Sequence, residues 1–215
     1  MGRNGTSKRS ERLDGVCDNV VLPARVVDSF FTKFANVEDV ARKLTYRTEV
    51  YPADNTEYPG IAKNLPSGLV QSIVAKLRHL GFSEVEPVLS FFRLSVPGPR
   101  APHYVHTDYM TGQYTLLAYL SEQEGAGTGF YQHKETGMYM HPTTQEGIEV
   151  WARDQRDLSL WDQTHFVQMK RNRALVFDSR AMHCALPTEG FGSDVKDGRL
   201  VLTMFFNGKL SDGYR

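Results

Sequence analysis

Hydrophobic residues in the second half of the chain come in short runs separated by turn-forming breaks. "VLSFFRL" (88–94), "YTLLAYLS" (114–121), "ALVFD" (174–178) and "RLVLTMFF" (199–206) are rich in β-branched, leucine and aromatic residues, the composition of strands. The first half has a different period. "SGLVQSIVAKLRHLG" (67–81) places Val70, Ile73, Val74 and Leu77 on one helical stripe, with Ser67 available to cap its start and Gly81 its end. "ANVEDVARKL" (35–44) predicts a second helix, with Asn36 as cap and Asp39 three residues on, and "VVLPARVVDSFF" (20–31) a short strand. "YPADNTEYPGIAKNLP" (51–66), with three prolines and a glycine, reads as loop. The polar segment 138–169 carries both tryptophans and a helical "QEGIEVWARDQRDLSLW", so it reads as an insertion between strands. Helices first and strands later predict an α+β chain with a β-sandwich or barrel core.

Composition narrows the class without naming a chemistry. The 215 residues suit one domain over 16–215, with the polar lead at 1–15 expected to be disordered. Lys+Arg and Asp+Glu both number 25, so no net field favours nucleic acid or an anionic membrane surface. No apolar run suggests a leader or a membrane span. Cys17 and Cys184 do not make a disulfide framework, and a reducing cytoplasm is the expected compartment.

The candidate chemistry starts at "HTD". On a strand, His106 and Asp108 share a face while Thr107 points away. By itself the pair is ambiguous; a strand-end pair of polar residues reads equally well. His183, after the strand "ALVFD" and a turn, supplies a third ligand. Two imidazoles and a carboxylate leave coordination positions open, the set that suits a non-haem Fe(II) which must bind a cosubstrate and O2. Arg199 opens an otherwise apolar strand, on one face with Val201, Thr203 and Phe205. A guanidinium entering a barrel interior is costly unless an anion pairs with it, and its planar fork suits a carboxylate. Arg173 is the rival anchor, and an exposed Arg199 the plain alternative.

With these residues in place, positions 88–207 resemble the Fe(II)/2-oxoglutarate-dependent dioxygenases, whose fold is a double-stranded β-helix or jelly roll. Here that core spans about 87–207. The resemblance implies that His106, Asp108 and His183 hold iron and that Arg199 anchors the distal carboxylate of 2-oxoglutarate. "EYPG", "GTGFYQHKETG" and "RNRALVFDSRAMHCALP" are more narrowly similar to a bacterial branch of these oxygenases. Many members carry Arg-x-Ser. Val201 stands in place of that serine, so Tyr104, Tyr119 and Thr203 are the candidate hydroxyls for the cosubstrate. Halogenating members replace the acidic ligand by a small residue; Asp108 is present, which implies hydroxylation or a related oxidation.

The implied reaction turns 2-oxoglutarate and O2 into succinate and CO2 while a C–H bond of an amino acid, peptide or other small metabolite is oxidised. The loops near 58–66 and the insertion would wall the substrate. Among remaining residues, His133 is the best candidate for lining the pocket and Arg180 for touching substrate, although an Arg180–Asp178 ion pair is the plainer reading. His103, His141 and His165 read as supporting or exposed residues and Cys184 as a buried thiol. Trp151 and Trp161 read as packing for the inserted helix, or as a wall of the substrate site. Two rival functions are a cupin-like metal enzyme without 2-oxoglutarate and a non-catalytic small-molecule-binding jelly roll.

Overall fold

A computed structural model describes residues 24–51, 55–98 and 104–211; the 1–15 lead, Cys17 and His103 lie outside the described residues. In chain order the elements are β1 (Ala24–Val27), α1 (Phe34–Lys43), β2 (Arg47–Tyr51), β3 (Thr56–Ala62), α2 (Ser67–His79), β4 (Phe82–Ser95) and β5 (Tyr114–Tyr119). There follow β6 (Gly127–His133), α3 (Gln145–Asp154), a 3-10 turn at Leu158–Leu160, β7 (Trp161–Gln168), β8 (Ala174–Asp178), β9 (His183–Leu186) and β10 (Arg199–Leu210).

The strands form two antiparallel sheets. The large one runs β1-β8-β5-β10-β4-β3-β2 and the small one β7-β6-β9. Alternation along β10 sorts its residues into two layers. Leu200, Leu202, Met204 and Phe206 join Phe92, Leu116, Ala118 and Val176 beneath the helices, where Ile73 and Leu77 of α2 are fully buried. Val201 on the opposite face joins Tyr119, Leu175 and Phe177 against Phe130 of the small sheet. Two sheets facing each other around this second layer are the double-stranded β-helix, buttressed by the N-terminal helices as their apolar stripes require. The far side of the small sheet is covered by the segment around α3: Val105, Tyr131, Trp161, Met182 and Cys184 form its core.

Four local expectations need correction. Residues 51–66 are not a continuous loop: β2 and β3 form a hairpin that extends the large sheet. Pro59-Gly60 is absorbed by a register shift between Arg47 and Glu49. Gly60 has φ 72°, and a Cβ there would lie 1.9 Å from the Leu94 carbonyl oxygen, so only glycine lets β3 lie against β4. Asn36 does not cap α1, which begins at Phe34 after Lys33, because packing of Phe34 on the core draws the start forward. Ser67 makes no cap either; Pro66 precedes α2, and Gly81, at φ 89°, follows its end as expected. The expected insertion 138–169 is shorter than its polarity suggested, since β7 pairs along β6 from Gly127↔Gln168 to His133↔Trp161. No helix among the described residues is long and apolar enough to cross a membrane.

Candidate metal centre

His106 and His183 are brought together by the backbone before their side chains meet. Each donates its amide N–H to the other's carbonyl at 2.9 Å, an isolated antiparallel bridge. Asp108 then leaves the strand direction, and its N–H donates to the Ser179 carbonyl at 2.7 Å. The expected regular strand through both residues is therefore a single bridge followed by a turn. Thr107, expected to point away, contributes to the lining of the same cleft, its hydroxyl 3.1 Å from Nδ1 of His141.

One ligand atom from each of His106, Asp108 and His183 lies within 4.8 Å of the others. Asp108 Oδ2 is 3.3 Å from His183 Nε2, and Oδ1 is 3.8 Å from His106 Nε2. Nδ1 of His106 lies 2.9 Å from the Tyr104 carbonyl and Nδ1 of His183 2.9 Å from the Ala181 carbonyl. A carbonyl only accepts, so each Nδ1 carries a proton, and with a metal bound each Nε2 would present its lone pair to it. Thr115 donates to Asp108 Oδ2 at 3.0 Å and lies 2.9 Å from the Ser179 hydroxyl, which therefore donates to it. The carboxylate is thus oriented by two buried hydroxyls, and Phe177 packs edge-on against His183.

Burial works against the Asp108 charge, but His183, His106 and the Thr115 hydroxyl outweigh it and hold the carboxyl at about 2. Its folded pKa is below the ordinary 3.8, so the stability it contributes is fully present above that value. That contribution fades as pH falls from about 4 towards 2. In the metal-free protein, Asp108→Asn is expected to flatten this arm of an acid unfolding curve followed by circular dichroism. An unchanged arm would remove Asp108 from the acid response.

Arg199 is 4% exposed, at the start of β10 on the inner face. Burial pulls its guanidinium below the ordinary value, partly offset by Tyr119 and Cys184. Its Nη2 lies 3.5 Å from the Gly127 carbonyl, and its Nε has no partner among the described residues. Tyr119 is fully buried, its hydroxyl 2.7 Å from that of Thr128. Thr203 is buried two positions along the same face from Val201, opposite Phe91 and Leu117. Tyr104 differs from the expectation: its hydroxyl donates to Glu189 at 3.0 Å, and its carbonyl is what reaches the centre. Arg173, the rival anchor, is engaged with Asp28 at 2.6 Å.

A cleft of about 240 Å³ opens beside the triad, lined in part by His106, Asp108, Tyr58, Phe91, Arg93, Trp151 and Phe205. The two expected substrate residues do not line it. His133 is 2% exposed between β6 and α3, 3.2 Å from Asp154 and 3.0 Å from Thr136. Arg180 is paired with Asp178 at 2.6 Å and largely exposed. Other residues take their place. Arg93 projects from β4 onto the same face as Val201, its register partner. Tyr109 stacks on His141 with centroids 3.5 Å apart, and Trp151 meets His141 edge-on. Trp151 donates to the Val105 carbonyl, so it walls the cleft and holds α3 at once, whereas Trp161 is buried. Cys184 lies on the outer face opposite His183, and burial pushes its thiol up to about 12.

No curated protein matches the chain significantly. Solved structures share its fold. The non-haem α-ketoglutarate-dependent epimerase SnoN of nogalamycin biosynthesis aligns with TM-score 0.55 and 13% identity, over 86% of this chain and 78% of its own. HygX of Streptomyces hygroscopicus, with iron bound, aligns with TM-score 0.53 and 11% identity over 86% and 82%. EvdO2 of Micromonospora carbonacea var. aurantiaca, complexed with 2-oxoglutarate, gives TM-score 0.52 and 16% identity over 93% and 95%. At these identities the likeness is one of fold. In sequence the match extends over residues 18–206: the chain belongs to DUF6445, a family of unknown function.

Proposed function

We propose that this chain is an Fe(II)- and 2-oxoglutarate-dependent oxygenase that hydroxylates a C–H bond of a small molecule or peptide. The observation that carries the reading is a buried guanidinium, Arg199, whose Nε has no partner among the described residues, alongside a cluster of two imidazoles and a carboxylate. A metal site alone would need no such cation. SnoN, HygX and EvdO2 support the reading through the fold and through the iron or 2-oxoglutarate named with them.

The donor set fits the metal. His106 and His183 would present Nε2 and Asp108 its carboxylate, with three protein ligands leaving room for a chelating cosubstrate and O2. Iron with 2-oxoglutarate and O2 supplies the oxidising power, consuming the cosubstrate to succinate and CO2. The chain's own residues do the rest. Tyr104 and Ala181 fix the imidazole tautomers through their carbonyls, and Thr115 fixes the carboxylate. Arg199 would take the distal carboxylate of 2-oxoglutarate, with the Tyr119 hydroxyl and Thr203 on the same inner face. Tyr58, Phe91, Phe205 and Trp151, which line the cleft, would pack against an apolar substrate. Asp108 as a third protein ligand favours oxygen transfer over halogenation. Burial of Arg199 disfavours a cupin-like enzyme without 2-oxoglutarate, and the buried Cys184, in no disulfide among the described residues, is compatible with the reducing cytoplasm this reading assumes.

Anaerobic titration of the metal-free protein with Fe(II), then 2-oxoglutarate, tests the reading. A visible charge-transfer band should grow with 2-oxoglutarate, and succinate should form once air is admitted. Absence of both would overturn it.

A further inference from the structure

Among the described residues, two buried side-chain nitrogens or oxygens have no hydrogen-bond partner, and both are arginine Nε atoms: Arg199 and Arg93. They share the inner face of the large sheet, since Arg93 pairs with Val201, two residues along β10 from Arg199. Their access differs. Arg93 lines the cleft that contains His106 and Asp108, whereas Arg199 lies outside that lining. Of the carboxylates in the cleft wall, Glu49 is paired with Lys63 at 2.6 Å, and Asp108, whose charge reaches Arg93, is shared with the two imidazoles of the triad. The Tyr58 ring, 5.9 Å from the Arg93 guanidinium carbon, gives it a π face but no anion.

Charge balance then asks for a second anion. On the oxygenase reading, a divalent metal, one carboxylate and two guanidiniums leave three positive charges. Dianionic 2-oxoglutarate cancels two of them. A shielded guanidinium without an anion is costly, and its fork binds a carboxylate in two parallel hydrogen bonds. Much of the rest of the cleft wall is apolar, with Val50, Ile61, Leu89, Phe91, Met110 and Phe205, and Thr107 and Thr111 add two hydroxyls.

We propose that Arg93 is the substrate-binding residue that selects an apolar molecule carrying a carboxylate, and that this carboxylate docks on Arg93 from the cleft. The assignment of Arg199 to the cosubstrate rests on the oxygenase reading. Arg93 is a specificity determinant: it fixes which carbon of the substrate is presented at the triad by holding the acid end.

Zn(II)-loaded full-length protein saturated with 2-oxoglutarate does not turn over, so binding can be read alone. The probes are straight-chain and phenyl-substituted carboxylic acids, each matched with its primary amide, followed by ligand-observed NMR competition. Acids should bind at least about tenfold tighter than their amides, the worth of one buried charged hydrogen bond. Arg93→Met should abolish the preference, and Arg93→Lys should keep part of it. In both variants 2-oxoglutarate affinity should stay within about threefold of the wild type, a change worth under 1 kcal/mol. Circular dichroism of each variant checks the fold. Equal binding of acid and amide, or no binding by any acid, would overturn the proposal. So would an Arg93→Met loss of 2-oxoglutarate affinity as large as that of Arg199→Met, which would assign Arg93 to the cosubstrate. If the wild type takes up no 2-oxoglutarate yet still prefers acids through Arg93, the oxygenase reading fails and the carboxylate subsite stands.

Discussion

His183→Ala is expected to lose Fe(II) affinity by more than about a hundredfold, because a direct ligand matters more than the supporting groups whose loss costs 10–100-fold. His183 Nε2 sits 3.3 Å from the Asp108 carboxylate, and its Nδ1 proton is fixed on the Ala181 carbonyl, so its lone pair has one direction in which to act. Removing the ring leaves His106 and Asp108, a pair that cannot define one face of a metal. Backbone bonds between residues 106 and 183 do not use the side chain, so the bridge and the fold should survive. Equilibrium dialysis with Fe(II) under anaerobic conditions reads the effect, and circular dichroism reads the fold. Cys184→Ala, one residue on but facing the outer core, should leave Fe(II) affinity at the wild-type level. Retained metal affinity in His183→Ala would remove this residue from the centre.

Arg199→Met should have the second largest effect, and of a different kind. Truncating one partner of a buried hydrogen-bonded charge pair costs about 2–5 kcal/mol, so 2-oxoglutarate affinity should fall by roughly a hundredfold. Fe(II) affinity should hardly change, because Arg199 touches none of the three ligands. A titration of the Fe(II) protein with 2-oxoglutarate, read by the charge-transfer band, separates the two constants. The same variant should be more resistant to heat than the wild type without ligands. Its buried guanidinium, with Nε unpartnered among the described residues, is a cost in the empty protein that methionine does not carry. A lowered thermal midpoint together with unchanged 2-oxoglutarate affinity would make Arg199 structural.

Much of this site was legible in residue order, and the misses have physical causes. The inner face of β10 followed from alternation alone: Arg199, Val201, Thr203 and Phe205 face the small sheet as expected. The same alternation holds Leu89, Phe91 and Arg93 on one face of β4, so the Arg93 signal was present. What it lacked was a neighbour, since a strand's own sequence does not say which strand lies beside it or in what register. His133 failed for a related reason. It lies three residues after Phe130, so an inward Phe130 turns it outward onto Trp161 and Asp154. The hairpin at 47–62 was hidden because Pro59-Gly60 reads as a loop unless a bulge is there to take it.

Sequence by itself therefore determined the chemistry available: two imidazoles, a carboxylate and an arginine, in an order and on strand faces that let them converge. Local periodicity is short-range, and it carries that much. Tertiary structure alone decided which groups share a cavity. The bridge between residues 106 and 183, the placement of Arg93 across from Val201, and the packing of the cleft residues Trp151 and Tyr109 on His141 are pairings between distant segments. They arise when two sheets close over a common core, and that closure leaves two arginine Nε atoms buried without a hydrogen-bond partner among the described residues.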